Sequence, residues 1–294
     1  MPSDRGMITD ISENYVASGE RDTTGHGTKV IDLLLTVAPD SSYKPMRIIA
    51  DDKEFKPSNF LKAMDDILDA NIDVVNISAG KYHHNCAGQC RICEAVDEVV
   101  RDGSVVVAGA GNRKEDKELD VFCPARSSES IAVGMSETLC TITASKKSEF
   151  PYRPDKLRPP GAYWVDIDHI DSTTEDLPDD TYCGYNACSP FHTCENNRKT
   201  IYWGGNVNWN YYVPEVVAPG HKPLVDYDDG TGLIEPGTSY STAVVSGGIA
   251  TVLSEVFPDL PSPQRVKRVI EATSRDLESG IVGKFDMQRL RDQL

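Results

Sequence analysis

The chain has 294 residues, of which 39% are hydrophobic, 7% aromatic and 26% charged. This composition suits a globular protein with a sizeable core, and it excludes collagen-like, coiled-coil and wholly disordered chains. Thirty lysines and arginines against 46 aspartates and glutamates give a net charge of −16. A surface this acidic repels nucleic acid and anionic membranes, and no stretch of about 18 apolar residues is available to span a bilayer.

The predicted elements alternate between strand and helix through most of the chain. In chain order they are an apolar run ending at Asp10, a helix over 28–37, a strand over 46–50, a helix over 58–70 with Ser58 as its N-cap, a strand over 73–78, a helix over 93–101 ended by Gly103, strands over 104–108 and 131–133, renewed order over 214–220, and helices over 239–256 and 262–273. The helical segments repeat apolar residues at helical spacing, whereas the strands at 73–78 and 104–108 are almost continuously apolar. This order is typical of right-handed βαβ units. We therefore predict one α/β domain over 1–294, with a mostly parallel central sheet and helices on both faces.

The pattern fails between residues 143 and 212, a stretch rich in proline, aspartate, tyrosine, asparagine and cysteine. Its acidic run over 166–180 and its lack of periodicity predict long loops. Five aromatic residues between 202 and 212 argue against disorder, because disordered chains are poor in aromatic residues. We interpret 143–212 as a loop-rich, cysteine-containing insertion within the domain.

Eight cysteines are present: Cys86, Cys90, Cys93, Cys123, Cys140, Cys183, Cys188 and Cys194. The first three form one short cluster and the last three form another. Disulfide bonds require an oxidising compartment. The first cluster lies beside His83 and His84 and could also supply zinc ligands, although its spacing matches no strong zinc-finger pattern. We favour disulfides and a secreted protein, with zinc and an intracellular protein as the alternative. Residues 1–10 carry no apolar segment of a signal peptide, so a secreted chain would be a mature form without its leader.

Three motifs carry the signature of nucleophilic chemistry. They are Asp-Thr-Thr-Gly-His-Gly-Thr at 22–28, Val-Val-Val-Ala-Gly-Ala-Gly-Asn at 105–112, and Gly-Thr-Ser-Tyr-Ser-Thr-Ala at 237–243. These motifs resemble the His, Asn and Ser signatures of the subtilisin-like serine proteases (subtilases), and they occur in the family's order. Residues 74–80, 124–125 and 217–220 resemble further landmarks of the family. The resemblance runs from about residue 5 to the C-terminus, apart from 143–212.

The resemblance implies a serine endopeptidase that works through an acyl-enzyme. Ser239 would be the nucleophile, and it opens an apolar helix whose N-terminus favours developing negative charge. A serine is a poor nucleophile without a base within hydrogen-bond reach, and His26 would be that base. Asn112 would donate its side-chain N–H to the oxyanion.

Two aspartates compete for the third position of the triad. Asp10 ends the first apolar run, as the family's aspartate does, but Ile11-Ser12 replaces the usual small residue and glycine. Asp10 also lies only 16 positions before His26, which is short for the family. Asp22 lies within the His motif, where the family has a structural acid. We predict that Asp10 orients His26 and that Asp22 is structural.

The resemblance also implies where substrate binds. Ser78, Ala79 and Gly80 would offer backbone groups to an extended peptide that adds as a strand. The glycines before Asn112 could instead suggest a phosphate-binding loop. However, the third glycine of that motif is missing, because position 114 is lysine, and this argues against a dinucleotide site.

The remaining expectations concern cofactors and partners. The chemistry requires no cofactor, and the resemblance allows a structural calcium ion, for which Asp226, Asp228 and Asp229 are candidate ligands. We expect a monomer that acts on protein or peptide substrates, binds no nucleic acid and does not span a membrane. Two alternatives keep the same fold: a specialised processing protease or peptide ligase, and a non-catalytic pseudo-protease that serves as a binding module.

Overall fold

The structure of the chain is a computed structural model. It describes residues 7–8, 13–16, 22, 25–50, 54–83, 86–112, 121–138, 163–166, 200–202, 214–226, 231–276 and 283–294. The helices and strands of these residues are, in chain order, β1 (Met7–Ile8), β2 (Glu13–Asn14), α1 (His26–Val37), β3 (Ser42–Tyr43), β4 (Met46–Arg47), α2 (Pro57–Leu68), β5 (Val74–Ile77), α3 (Arg91–Asp102), β6 (Val105–Gly109), β7 (Ile131–Thr138), β8 (Tyr163–Asp166), β9 (Thr200–Tyr202), β10 (Val216–Pro219), β11 (His221–Asp226), β12 (Thr231–Pro236), α4 (Thr238–Val256), α5 (Pro263–Thr273), β13 (Arg275–Asp276), β14 (Gly283–Lys284) and α6 (Met287–Arg291).

A seven-stranded sheet forms the centre of this part of the chain. Its strands lie in the order β13-β14-β10-β7-β6-β5, and β9 also pairs with β7. The path from β14 to β5 is parallel throughout, whereas β13 and β9 join it antiparallel. The predicted mostly parallel sheet is confirmed.

Alternating side chains of β6 show that helices cover both faces of this sheet. Val106 and Ala108 pack in the same cluster as the buried side chains of α2 and α3. Val105 and Val107 pack with those of α4, α5 and α6. Because successive side chains of a strand point to opposite faces, the two helix layers lie on opposite sides of the sheet. This confirms the predicted α/β architecture.

Each helix that the sequence pattern predicts begins and ends within two residues of its predicted bounds, but the N-cap of α2 is a different residue. Ser58 was expected to be the N-cap, but the helix begins at Pro57 and its N-cap is Lys56, so that prediction is wrong. Proline suits the first helical position because its ring already sets a helical φ and its missing N–H has no partner there. Gly103 ends α3 as predicted, with a φ of 121° that favours glycine.

Two strands inside the predicted insertion pair with strands outside it. β8 is antiparallel to β12, which leads directly into the Ser239 segment, and β9 pairs with β7 of the central sheet. These pairings connect part of 143–212 to the rest of the domain. The rest of the insertion lies outside the described residues, and its loop-rich character stays a prediction. Within the described part of the chain, every helix is too short or too polar to span a bilayer.

An ion pair between Lys267 and Glu215 joins α5 to the residue that precedes β10. Lys267 Nζ lies 2.9 Å from Glu215, and the two side chains are only 14% and 21% exposed. The other carboxylate oxygen of Glu215 accepts a hydrogen bond from the Ala132 N–H at 2.7 Å. Lys267 also donates to the carbonyls of Ser128 and Ser130, each at 2.7 Å. Burial raises the pKa of the Glu215 carboxyl, and Lys267 counteracts part of that rise.

The variant Lys267→Met is expected to lower the free energy of unfolding at neutral pH by about 3 kcal/mol, because it leaves the Glu215 carboxylate buried without its cation. Without Lys267, the pKa of Glu215 in the folded state should rise further above its unfolded value. The loss in the free energy of unfolding is therefore complete at pH values above that raised pKa. It becomes smaller as the pH falls and Glu215 becomes protonated. Urea unfolding of variant and wild type between pH 8 and about pH 5 measures this difference. A deficit that does not change with pH would contradict the role of Glu215, and the added change Glu215→Gln should recover part of the stability.

Candidate active site

The candidate site lies where two parallel strands end and two helices begin. Ser78 follows β5, Asn112 follows β6, His26 is the first residue of α1, and Ser239 is the second residue of α4. The carboxyl ends of parallel strands meet at one edge of a sheet, and ligands of open α/β sheets bind outside that edge. The fold therefore brings together four segments that are far apart in sequence.

The start of α1 positions His26. Gly25, the N-cap, has a φ of 68°, a left-handed conformation that glycine adopts without strain. The Asp22 carboxylate accepts hydrogen bonds from the Gly25 N–H at 2.9 Å, the Thr28 N–H at 2.8 Å and the Thr28 hydroxyl at 3.0 Å. A carboxylate at this position satisfies N–H groups of the first turn and interacts favourably with the helix dipole. Asp22 therefore caps the helix that carries His26.

His26 and Ser239 converge on one backbone oxygen. The Nε2 atom of His26 lies 3.3 Å from the Ser78 carbonyl oxygen. Ser239 Oγ donates to the same oxygen, also at 3.3 Å. Both side chains are partly exposed, so a substrate can reach them. The imidazole and the hydroxyl therefore occupy one small region of the surface.

A chain of hydrogen bonds links the end of β5 to α4, and the sequence analysis did not anticipate it. Ser246 donates to the Asn76 side-chain oxygen at 3.0 Å, and Asn76 Nδ2 donates to Ser78 Oγ at 3.0 Å. Ser78 Oγ in turn donates to the Ser239 carbonyl at 2.9 Å. The available signal was Asn76 itself, a polar residue inside an apolar strand. These bonds hold Ser78 and Ser239 in register.

Asn112 is held by Thr238, a second contact that the sequence analysis missed. The Asn112 side-chain oxygen accepts hydrogen bonds from the Thr238 N–H at 2.9 Å and from its hydroxyl at 3.2 Å. The oxygen end of the amide is thereby fixed, so the amide nitrogen is oriented as a donor. Asn112 is exposed, and its partner Thr238 directly precedes Ser239.

Packing contacts hold both the proposed substrate-binding segment and the His26 ring in place. A Cβ at Gly80 would lie 2.8 Å from the Cys123 carbonyl, so glycine permits the close approach of residues 80 and 123. Lys81 and Cys123 then exchange backbone hydrogen bonds at 2.9 and 3.0 Å. The buried ring of Tyr240 lies 6.0 Å from the His26 ring, between α1 and α4. The contacts with Cys123 thus stabilise the Ser78–Gly80 segment, in which Ala79 is partly buried.

Some of the predicted residues lie outside the described part of the chain. Asp10 is among them, as are Asp228 and Asp229 of the candidate calcium loop. Cys140, Cys183, Cys188 and Cys194 also lie outside it. The roles of these residues stay predictions.

The four described cysteines are free thiols that lie close together: Cys86, Cys90, Cys93 and Cys123. His83 also lies near this cluster: its ring nitrogen and the sulfurs of Cys86, Cys90 and Cys123 all lie within 4.8 Å of one another, a distance that metal ligands can have. Burial raises the pKa of the Cys86 thiol, but hydrogen bonds from neighbouring thiols and from the Gly88 and Cys90 N–H groups lower it to about 6. Burial raises the pKa of Cys90 to about 11.

The chain resembles known proteins over nearly its whole length. The model of the Subtilase family matches residues 10–286. A subtilisin from Bacillus pumilus is 28% identical over 181 residues, which are 58% of this chain and 59% of that protein. The match therefore spans less than two thirds of the curated relative.

Solved structures of the same fold cover almost all of the chain at low identity. The prenylagaramide maturation protease PagA has a TM-score of 0.54 at 16% identity, covering 98% of this chain and 91% of its own. The self-cleaved protease domain of PatA has a TM-score of 0.56 at 17% identity, covering 97% and 93%. A cold adapted subtilisin-like serine proteinase has a TM-score of 0.52 at 16% identity, covering 96% and 80%. At these identities the similarity shows the fold.

Proposed function

The chain belongs to the subtilase family, and on that premise we propose that it is a serine endopeptidase that hydrolyses protein or peptide substrates through an acyl-enzyme. The observation that supports this most directly is the convergence of His26 Nε2 and Ser239 Oγ on the Ser78 carbonyl, each at 3.3 Å. Proton transfer requires a base within hydrogen-bond reach of the nucleophile, and contact with one common oxygen places the two side chains in the same small region.

In the proposed reaction, Ser239 Oγ attacks the scissile carbonyl while His26 Nε2 accepts its proton. His26 then gives that proton to the leaving amine, and water repeats the sequence to release the acyl group. Nε2 must be unprotonated at the start, so a carboxylate has to hold the proton on Nδ1. We assign this positioning role to Asp10, because Asp22 is already engaged in capping α1.

The oxyanion is proposed to bind between Asn112 and the start of α4. The Asn112 amide nitrogen is one donor, oriented by the two hydrogen bonds from Thr238. The Ser239 backbone N–H is the other, because the first N–H groups of a helix have no partner within it. Both donors are fixed before the reaction begins, so little reorganisation is needed in the transition state.

The substrate is proposed to bind as an extended strand along Ser78, Ala79 and Gly80. Acyl transfer between a serine and water needs neither metal nor organic cofactor. A structural calcium ion, secretion, disulfide bonds and a monomeric state stay predictions. The domain assignment of 1–294 with an insertion over 143–212 is likewise carried forward as a proposal.

A fluorophosphonate probe tests the proposed function directly, because it reacts with serines that a neighbouring base activates. Intact-mass analysis is expected to show one adduct per chain, mapped to Ser239 by peptide sequencing. Ser239→Ala should abolish labelling. An unlabelled wild type, or an adduct that persists in Ser239→Ala, would refute the assignment.

The variant Asn112→Ala is expected to lower kcat by about 100- to 1000-fold with little change in KM, the magnitude known for the equivalent donor of subtilisin. The reason is that one oxyanion donor is lost only in the transition state. Steady-state kinetics on a chromogenic peptide measure the effect. Thr238→Ser, which keeps the hydroxyl that holds Asn112, serves as the matched control and should stay near wild type. A change confined to KM would contradict the oxyanion role.

A second candidate is a specialised processing protease or peptide ligase. It is motivated by PagA and PatA, whose structures are described as those of maturation proteases. Cleavage of casein compared with a panel of defined peptides separates the two functions, and added amine nucleophiles reveal acyl transfer. General proteolysis predicts broad cleavage of casein, whereas a processing enzyme should cut few peptides and leave casein intact.

A further inference from the structure

Four cysteine sulfurs form one cluster behind the substrate-binding segment, and the proposed proteolysis does not use them. Cys86 lies in the loop after β5, Cys90 is the N-cap of α3, and Cys93 is in the first turn of that helix. Cys123 comes from the separate segment that follows Asn112. The fold therefore gathers three elements at one point, although Cys93 and Cys123 are 30 positions apart.

The distances between these sulfurs match a tetrahedral metal site. Cys90 lies 3.6 Å from Cys93 and 3.7 Å from Cys123, and Cys86 lies 3.9 Å from Cys93. Four sulfurs that each lie about 2.3 Å from a central zinc ion are separated by roughly 3.8 Å along the tetrahedron edges. A disulfide would bring the sulfurs together in pairs at about 2.05 Å. Here Cys90 and Cys93 each lie near two other cysteines, as shared ligands do.

The surroundings suit thiolates, and three of the four cysteines are buried. Cys93 and Cys123 are fully buried, and Cys86 is 6% exposed. Cys90 and Cys93 are at the N-terminus of α3, where the helix dipole favours negative charge. The buried Arg126 guanidinium donates to the carbonyls of Cys86 at 2.6 Å and His83 at 3.1 Å. Its positive charge offsets part of the net charge of −2 that four thiolates and one zinc ion would carry.

We propose that Cys86, Cys90, Cys93 and Cys123 bind a structural zinc ion. Zinc with four cysteine ligands is a closed site that leaves no position for substrate or water. His83 approaches three of the sulfurs but is exposed, and we place it outside the ligand set. Binding requires that the thiols release their remaining protons to solvent, and no oxidant or reductant takes part.

The zinc ion would stabilise the candidate substrate-binding segment, Ser78 to Gly80. Lys81 and Cys123 pair through two backbone hydrogen bonds, so metal ligation by Cys123 would fix the residue that pairs with Lys81, next to Gly80. The site would also join α3 to the segment that contains Cys123. Zinc–thiolate clusters persist where thiols stay reduced, so this proposal agrees with the intracellular alternative of the sequence analysis and disagrees with secretion.

Metal analysis of the full chain tests the proposal. The protein is purified without chelators or metal-affinity tags, and its zinc content is measured by plasma mass spectrometry. We expect one zinc ion per chain, four thiols that react with alkylating reagent only after the metal is removed, and a Tm about 10 °C lower after chelation. Because this readout is metal content, its outcome does not depend on the proposed peptidase activity.

Single-residue variants distinguish the four proposed cysteine ligands from the neighbouring His83. Cys93→Ser is expected to lose zinc, whereas His83→Ala, the matched control, should keep it. If Cys93→Ser does not fold, cobalt(II) substitution of the wild type provides a second measurement, with strong visible bands expected for tetrahedral thiolate ligation. Disulfide-linked peptides among the four cysteines, iron in place of zinc, or zinc lost from His83→Ala and kept by Cys93→Ser would overturn the proposal.

Discussion

Replacing Ser239 by alanine is expected to lower kcat by about six orders of magnitude, the size of the loss known for subtilisin. The alanine variant lacks the oxygen that attacks the substrate, so only binding and the oxyanion donors contribute to the residual rate. The fold should survive, because the Ser239 hydroxyl makes a single, partly exposed hydrogen bond to the Ser78 carbonyl. Progress curves with a chromogenic peptide at high enzyme concentration measure the residual rate.

Ser241 offers a matched control two residues further along the same helix. Its hydroxyl is buried and donates to the Ala218 carbonyl at 2.8 Å. Ser241→Ala should lower the free energy of unfolding by about 1–3 kcal/mol, because it leaves that carbonyl without its donor, while kcat stays close to wild type. If Ser241→Ala were the inactive variant and Ser239→Ala retained turnover, the nucleophile would be misassigned.

Replacing Asp10 by asparagine is expected to lower kcat by roughly four orders of magnitude. An amide at this position would stabilise the wrong tautomer of His26, with its proton on the nitrogen that faces Ser239. Side-chain volume is almost unchanged, so the unfolding transition should stay near that of wild type. Kinetics and thermal unfolding of the same sample separate a catalytic effect from a structural one.

The comparison with Asp22→Asn decides between the two aspartates. That change removes one carboxylate oxygen from the cap of α1, where the N–H and hydroxyl of Thr28 donate. We expect a loss of stability of about 1 kcal/mol and nearly wild-type kcat. An Asp22→Asn protein that is inactive with an unchanged Tm would reverse our assignment.

Periodicity and propensity predicted the local elements well because these elements bury their apolar residues in regular patterns. The strand at 74–77 and the helix at 91–102 differ from prediction only in their bounds. Ser58 was wrong as an N-cap because both serine and proline can begin a helix, and the backbone geometry of Pro57 prevailed. The contacts of Asn76 and Thr238 escaped prediction because their partners are more than 100 residues away in sequence.

The cysteine cluster is a second feature whose long-range contacts the sequence did not predict. Their number and the spacing of Cys86, Cys90 and Cys93 left disulfides and zinc as alternatives. Nothing in the sequence predicted that Cys123 would join them, because that proximity depends on the pairing of Lys81 with Cys123. That pairing places Cys123 beside Cys86, Cys90 and Cys93, so that four cysteines are available as ligands.

The sequence by itself determined the order of strands and helices and the three motifs around His26, Asn112 and Ser239. It could do so because helix and strand periods and glycine-rich turns are local properties of the chain. The tertiary structure decided which of these residues meet. Parallel pairing of β5 and β6, with α1 and α4 packed across them, brings His26 and Ser239 to the same Ser78 carbonyl. Such long-range contacts depend on how the apolar faces of separate elements pack together, and no local pattern specifies that packing.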